Sequence, residues 1–257
     1  MRAVRLLEYA LTKRPETVLD VGVGPGWHVM PFLAQGSSVT GIDVSLPHHK
    51  LMEHENYSHI QSLYEQANAL EDAEGNKFGD RKYDMIWCNH VLEHVPNSQH
   101  FLMWLRGHLK PGGWLFLAVP SSRQNRLHIG HCSLWTPAHL VYNLIIAGWD
   151  CKDAHWYTEY LTIGICLQRV DDIDMSGRTA LPSEHDWLNK HTPIPIYHES
   201  GAWWGNKWHE EFEANRVPDP PFVTVGYDAR RSLAPEVQLH YGPNPELRKG
   251  YERDEES

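Results

Sequence analysis

The stretch Thr17-Val18-Leu19-Asp20-Val21-Gly22-Val23-Gly24-Pro25-Gly26-Trp27 decides the fold. Val18, Leu19 and Val21 are apolar and mostly β-branched, as in a strand covered on both faces. Gly22, Gly24 and Gly26 follow at once. They let the backbone turn sharply and come close to a bound molecule, since no Cβ stands in the way. Trp27 to Ala34 suits a helix whose first turn offers free N–H groups and a positive dipole end to a polar ligand. A second apolar run, Ser38-Val39-Thr40-Gly41-Ile42-Asp43, ends in a carboxylate. A glycine turn alone says little. A strand, a glycine turn, a helix and a second strand ending in an acid describe a nucleotide-type site in which the acid grips ribose hydroxyls.

The same alternation continues outward from this unit. Residues 1–14 read as an amphipathic lead-in helix rather than a signal peptide, closed by Lys13, Arg14 and Pro15. Leu46 to Asn56 is polar and histidine-rich. Ser58 to Tyr64 suits a third strand, and Ile60 to Leu70 equally suits a helix; Glu71 to Lys82 is a loop. Lys82 to Asn89 is an apolar strand leading into His90-Val91-Leu92-Glu93-His94-Val95-Pro96. Asn97 or Ser98 can cap a helix carrying Phe101, Leu102, Leu105 and Leu109 on one face, stopped by Lys110-Pro111-Gly112-Gly113. Trp114 to Pro120 is a further buried strand. The polar segment 121–135 follows its carboxyl end, where open α/β sheets bind ligands. Thr136-Pro137 opens a helix ended by Gly148, and Trp149 to Tyr157 with Tyr160 to Val170 form a closing strand pair. Strands alternating with helices imply a doubly wound, mostly parallel sheet with helices on both faces. After Asp171 the periodicity fades. Residues 171–245 read as an irregular appendage rich in Trp, His and Pro, and Arg248 to Ser257 as a charged tail.

Composition limits the function. The chain has 257 residues, 41% of them hydrophobic, which supports a folded core plus an appendage. The net charge of -10 argues against a general nucleic-acid binder, whose phosphate contacts need clustered Lys and Arg. No apolar run approaches the roughly 20 residues of a membrane helix. Cys88, Cys132, Cys151 and Cys166 show no paired spacing, which suits a reducing cytoplasm. The 18 histidines raise the question of a metal. His48, His49 and His54, or His90 and His94, can be drawn together, but the pair His90 and His94 has no nearby cysteine or well-spaced third ligand and Pro96 disturbs the expected helix, so no metal is expected.

Taken together, Val18 to Gly26, Asp43, Tyr83-Asp84-Met85-Ile86 running to His90-Val91-Leu92-Glu93-His94-Val95, and Leu109-Lys110-Pro111-Gly112-Gly113-Trp114-Leu115 resemble the class I S-adenosylmethionine-dependent methyltransferases. The likeness is to the small-molecule subgroup typified by quinone-biosynthesis methyltransferases. Gly130-His131, Trp135-Thr136-Pro137 and Gly148-Trp149 fit its later pattern. The resemblance covers roughly residues 15–170. It implies a Rossmann-like sheet of seven strands with the last antiparallel. It divides the chain into a cofactor-binding domain, 1–170, and the appendage, 171–257.

The resemblance also implies the cofactor, S-adenosylmethionine, and its contacts. Gly22, Gly24 and Gly26 would pass under the methionine part, and Asp20 would orient its ammonium. Asp43 would hold the ribose hydroxyls, with Val44 beside the adenine. Asn89 and His90 would line the sulfonium side. Glu65, Glu71 and Asp72 all suit the acid beside the adenine amino group. A dinucleotide fingerprint would need its third glycine where Trp27 stands, which disfavours a dehydrogenase.

The expected reaction is methyl transfer to a small molecule, with oxygen the favoured acceptor. A hydroxyl nucleophile needs a base, and His131, then His128, are the candidates because histidine titrates near working pH. Arg123 and Arg126 suit an anionic group on the acceptor. Glu93 and His94 are expected to brace a helix start. The aromatic run Trp203-Trp204 with Trp208 suits packing on the main domain, a lid, or a contact with a second copy or a protein partner. The rival roles are a non-catalytic binding partner and a methyltransferase acting on protein or glycan.

Overall fold

The computed structural model describes residues 3–47, 49–61, 80–121, 128–159, 162–178 and 185–193. Seven strands form one sheet: β1 (Thr17–Val21), β2 (Ser38–Asp43), β3 (Tyr57–Gln61), β4 (Tyr83–Asn89), β5 (Leu109–Pro120), β6 (His155–Glu159) and β7 (Thr162–Gln168). Their spatial order is β3-β2-β1-β4-β5-β7-β6. β1 to β5 run parallel, and β7 is antiparallel to both β5 and β6. The chain winds from β1 out to β3, then returns to lay β4 on the other side of β1. The carboxyl ends of β1 and β4 therefore flank the reversal of strand order, the place where such sheets bind ligands.

Alternation along each strand sends side chains to two separate cores. Leu19, Val21, Ile86, Leu115, Leu117 and Ile165 lie in one. It is covered by α4 (Ser98–Gly107) and α5 (Pro137–Ile146), through Leu102, Leu105, Leu140 and Leu144. Val18, Val39, Met85, Trp87 and Phe116 lie in the other, covered by α1 (Val4–Thr12) and α2 (Val29–Ala34). Trp87 is wholly buried, with Phe32, Phe116 and His28 around its ring. The short α3 (His49–Met52) sets Leu51 into that second core.

Local sequence explains the element ends. The Asn97 carboxamide accepts the His100 N–H at 3.1 Å to cap α4, and Thr136 accepts the His139 N–H at 3.2 Å to cap α5 behind Pro137. Tyr57–Gln61 is a strand rather than the start of a helix, because it pairs along β2 from Val39 to Asp43. Three boundaries differ from expectation. α2 begins at Val29, not Trp27, because the turn continues through His28. Leu109 opens β5 instead of closing α4, since it pairs with Tyr83 ahead of a register shift. Trp149 precedes the closing strands and is buried beside α4, its indole donating to the Leu102 carbonyl at 3.0 Å. Beyond Asp171, α6 (His185–His191) places Trp187 and Leu188 in the first core. No helix among the described residues is long and apolar enough to cross a membrane.

Candidate active site

The glycine turn after β1 requires its glycines. Gly22, Gly24 and Gly26 have φ of +86°, +50° and +83°, which side chains rarely tolerate. The Gly22 N–H donates to the Ile42 carbonyl at 2.8 Å, tying the turn to β2. At the end of β2, Asp43 Oδ2 accepts the Gly24 N–H at 2.7 Å and Oδ1 accepts the Ser45 N–H at 3.0 Å. Asp43 thus stands against the turn, 7% exposed, with Val44 beside it at the surface.

Asp20 is the charged group with least accommodation. It is 1% exposed, and neither carboxylate oxygen has a hydrogen-bond partner. Burial, with the Asp43 charge adding to it, pushes its pKa up to about 8. Its strand neighbours are Gly41 and Trp87. Gly41 leaves room for Tyr57, whose hydroxyl meets His59 Nδ1 at 2.9 Å. Burial and the charges of Asp20 and Asp43 hold the Tyr57 hydroxyl well above its usual range. Burial outweighs the opposing pull of Asp43 and Ser45 and lowers His59. Asn89, at the end of β4, has a buried Oδ1 without a partner.

Beyond β4 the character changes to imidazole. His90 has φ of +57°, a backbone conformation that costs a non-glycine residue of order 1 kcal/mol and gathers at functional sites. Its ring is held on both sides, by Glu93 Oε1 at 3.2 Å from Nδ1 and by the Thr162 hydroxyl at 3.2 Å from Nε2. Glu93 sits in the single 3₁₀ turn Leu92–His94 and is 1% exposed. His94 Nε2 lies 3.8 Å from the same carboxylate oxygen, and its Nδ1 is 2.8 Å from the Gly130 carbonyl. The Glu93 backbone carbonyl accepts the Cys132 N–H at 2.6 Å, which anchors the loop after β5. That loop brings His131 edge-on to His94, ring centroids 4.9 Å apart, and stacks His128 on His131 at 5.2 Å. Glu93, His94 and His131 place polar atoms within 4.8 Å of one another. Burial, together with the neighbouring His94, His128 and His90, lowers the pKa of His131 despite the opposing pull of Glu93.

A family model described as a methyltransferase domain matches residues 2–149, more than half the chain. The chain belongs to the methyltransferase domain family. Among curated proteins it is similar to the ubiquinone biosynthesis O-methyltransferase of Rickettsia akari, 29% identical over 178 residues, covering 66% of this chain and 64% of that one. The enzyme of the same name from Coxiella burnetii is 29% identical over 159 residues, covering 62% of each. The matched region spans slightly under two thirds of these relatives' length. Among solved structures, the 1,6-didemethyltoxoflavin-N1-methyltransferase of Burkholderia thailandensis superposes with a TM-score of 0.52 at 20% identity, over 66% of this chain and 78% of that one, a likeness of fold.

Within this methyltransferase domain, Asp20, Gly22, Gly24, Gly26, Asp43 and Val44 gather at the ends of β1 and β2. Asn89 and His90 stand at the end of β4; His90, His94 and His131 gather near Glu93, and His128 stacks on His131. Arg123, Arg126, Glu65, Glu71, Asp72, His48 and the tryptophans Trp203, Trp204 and Trp208 lie outside the described residues. Sequence reasoning did not select Glu93, Thr162, Tyr57 or His59 as site residues. The i, i+3 spacing of His90 and Glu93 was the available signal for the first.

Proposed function

We propose that this chain binds S-adenosylmethionine and transfers its methyl group to an oxygen of a small-molecule acceptor. The observation that carries the reading is Asp20: a buried carboxylate without a partner, beside a glycine turn. A buried unpaired acid is costly, and a ligand ammonium would relieve it. The residues fit the group. Asp20 would take the ammonium, Asp43 the ribose hydroxyls, the glycine turn the methionine backbone, Val44 the adenine, and Asn89 and His90 the sulfonium side. When bound, S-adenosylmethionine supplies a methyl on a sulfonium leaving group, and S-adenosylhomocysteine remains after transfer. The chain's own work is then to align the acceptor, keep water out and accept a proton. His131 is the base, with His128 behind it; its lowered pKa keeps it neutral and receptive near pH 7. Oxygen as acceptor is supported by the relatives, which are named O-methyltransferases.

We assign residues 1–170 to cofactor binding, and the loop 121–135 with the appendage 171–257 to acceptor choice and to contact with a second copy or a protein. We place the reaction in the cytoplasm, a compartment that suits the free thiols Cys88, Cys132, Cys151 and Cys166. Calorimetry with S-adenosylmethionine and S-adenosylhomocysteine tests the first step. Micromolar binding of both is expected, and no heat at millimolar ligand would end the proposal. Mass spectrometry over a panel of phenols, carboxylates and amines then identifies the acceptor atom, and methylation confined to nitrogen would overturn the oxygen assignment.

A further inference from the structure

Glu93 was expected to brace a helix start, yet its surroundings are not those of a brace. Its carboxylate is buried, Oε2 has no partner, and Oε1 faces two imidazoles, those of His90 and His94. A third, that of His131, stands within 4.8 Å. The backbone of the same residue fixes the loop that delivers His131, through the Cys132 and Ser133 N–H groups. Cys88 on β4, whose thiol burial and Glu93 push up, also feels this carboxylate, and His128 stacks on the far side of His131. His94 and His128 are exposed and His131 is half-buried, so the imidazoles lead from the buried acid to solvent.

We propose that Glu93 is the positioning residue of the proton acceptor: it orients His131 and stabilises the imidazolium formed there, from which the proton leaves to solvent along His94 and His128. This rests on the transfer to oxygen proposed above. In the step, the acceptor O–H bond breaks with its electron pair staying on oxygen, and the proton joins the lone pair of a His131 ring nitrogen. The Glu93 carboxylate balances the new positive charge from within 4.8 Å. His131 then returns the proton to water through the exposed rings. His90, locked between Glu93 and Thr162, is the wall that keeps the carboxylate aimed at the other imidazoles. The charge of Glu93 pulls the His131 pKa upward against burial, which favours proton uptake there.

The test uses full-length protein, the variants Glu93→Gln and His131→Asn, and two phenols: catechol, un-ionised at pH 7, and an acidic nitrophenol largely ionised at pH 8. The first readout needs no turnover. The His131 imidazole, assigned by its loss in His131→Asn, is titrated by nitrogen NMR. In Glu93→Gln its midpoint is expected to fall by about 0.5–1 pH unit, because the charge that held the proton is gone. An unmoved midpoint overturns the proposal. The second readout is methyl transfer at saturating cofactor. Both variants are expected to slow catechol by about 10²-fold or more, and to slow the pre-ionised nitrophenol at least about tenfold less. Equal slowing of both phenols reads as a structural role and overturns it. Loss of activity on chelation, restored by zinc, overturns it too, since the cluster would then be holding a metal. His131→Asn changes only a half-buried loop side chain, so it gives the phenol test even where Glu93→Gln does not fold. Wild type that neither binds S-adenosylhomocysteine nor methylates either phenol refutes the proposed function, while the NMR midpoint still judges the Glu93–His131 pairing.

Discussion

Asp20→Asn separates what the site costs the fold from what it gives the ligand. The folded Asp20 carboxyl titrates at about 8, against an unfolded value near 3.8. Between those values the folded state holds a proton that the unfolded state has lost. Stability therefore falls as pH rises from about 4 to about 8, and levels off above. At pH 7 the loss is on the order of 4 kcal/mol relative to a carboxyl that stays neutral in both states. Asparagine removes that loss but buries an amide with no partner, which gives back about 1–3 kcal/mol. The net gain of about 1–3 kcal/mol should raise Tm by several degrees at pH 7 and leave it level or lower at pH 4.5. Binding responds the other way. An ammonium needs the ionised acid, present in about one molecule in ten at pH 7 when its pKa is about 8. S-adenosylhomocysteine should therefore bind wild type with release of nearly one proton. It should bind about tenfold more tightly for each pH unit between 6 and 7.5. Calorimetry at pH 7 in phosphate and in Tris measures the proton directly, since the two buffers differ in ionisation enthalpy. In Asp20→Asn the proton release vanishes, the pH slope flattens and affinity drops. Identical heats in both buffers for wild type, or a variant that loses stability at pH 7, would refute the reasoning.

The other predictions concern the supports of the site. Asp43→Ala removes the acceptor of the Gly24 and Ser45 N–H groups, and should weaken S-adenosylhomocysteine binding by about ten- to a hundredfold in the same calorimeter; unchanged affinity removes Asp43 from the site. Gly41→Ala would drive a methyl into the Tyr57 hydroxyl and to 2.6 Å from Val23 Cγ2, so chemical denaturation should show a loss of about 1–3 kcal/mol, relieved in part by Tyr57→Phe. Asp84 accepts from the Thr17 N–H and hydroxyl and from Lys110; these bonds overcome the upward push of burial and hold its carboxyl below the usual range. Its contribution is present above the unfolded value of 3.8 and lost as pH falls through the lower folded value, so Asp84→Asn should cost about 1 kcal/mol at pH 7 by denaturation and progressively less as pH falls below 3.8.

The parts legible in the sequence were those written in consecutive residues. The glycine turn needs positive φ at three alternate positions, and only glycine supplies that without strain, so Gly22, Gly24 and Gly26 declare it wherever the strand before them leads. Asp43 was legible for the same reason, as the last residue of a short apolar run. The strand from Tyr57 was ambiguous because its five residues carry no long period, and only pairing with β2 settles it. α6 was missed because seven residues with two apolar anchors, Trp187 and Leu188, give too little period to detect.

The imidazole cluster was illegible for a different reason. Nothing local joins His131 to Glu93; the link is the Cys132 N–H on the Glu93 carbonyl and the isolated bridge between Ser121 and Trp135, both made across the sheet end. A chain with 18 histidines offers many pairings on paper, and the fold chooses among them by where β4 and β5 stop. The two halves of the site are therefore of different physical kinds. The proposed cofactor half is mostly backbone conformation plus carboxylates at the ends of β1 and β2, readable from one short stretch, with Asn89 and His90 added from the end of β4. The proposed acceptor half is side chains from separate segments around one buried acid, brought together only once the sheet has closed. Mutation should reveal the same division: changes at the glycine turn should abolish cofactor binding, whereas changes at Glu93 or His131 should leave that binding intact and alter only which acceptors lose a proton.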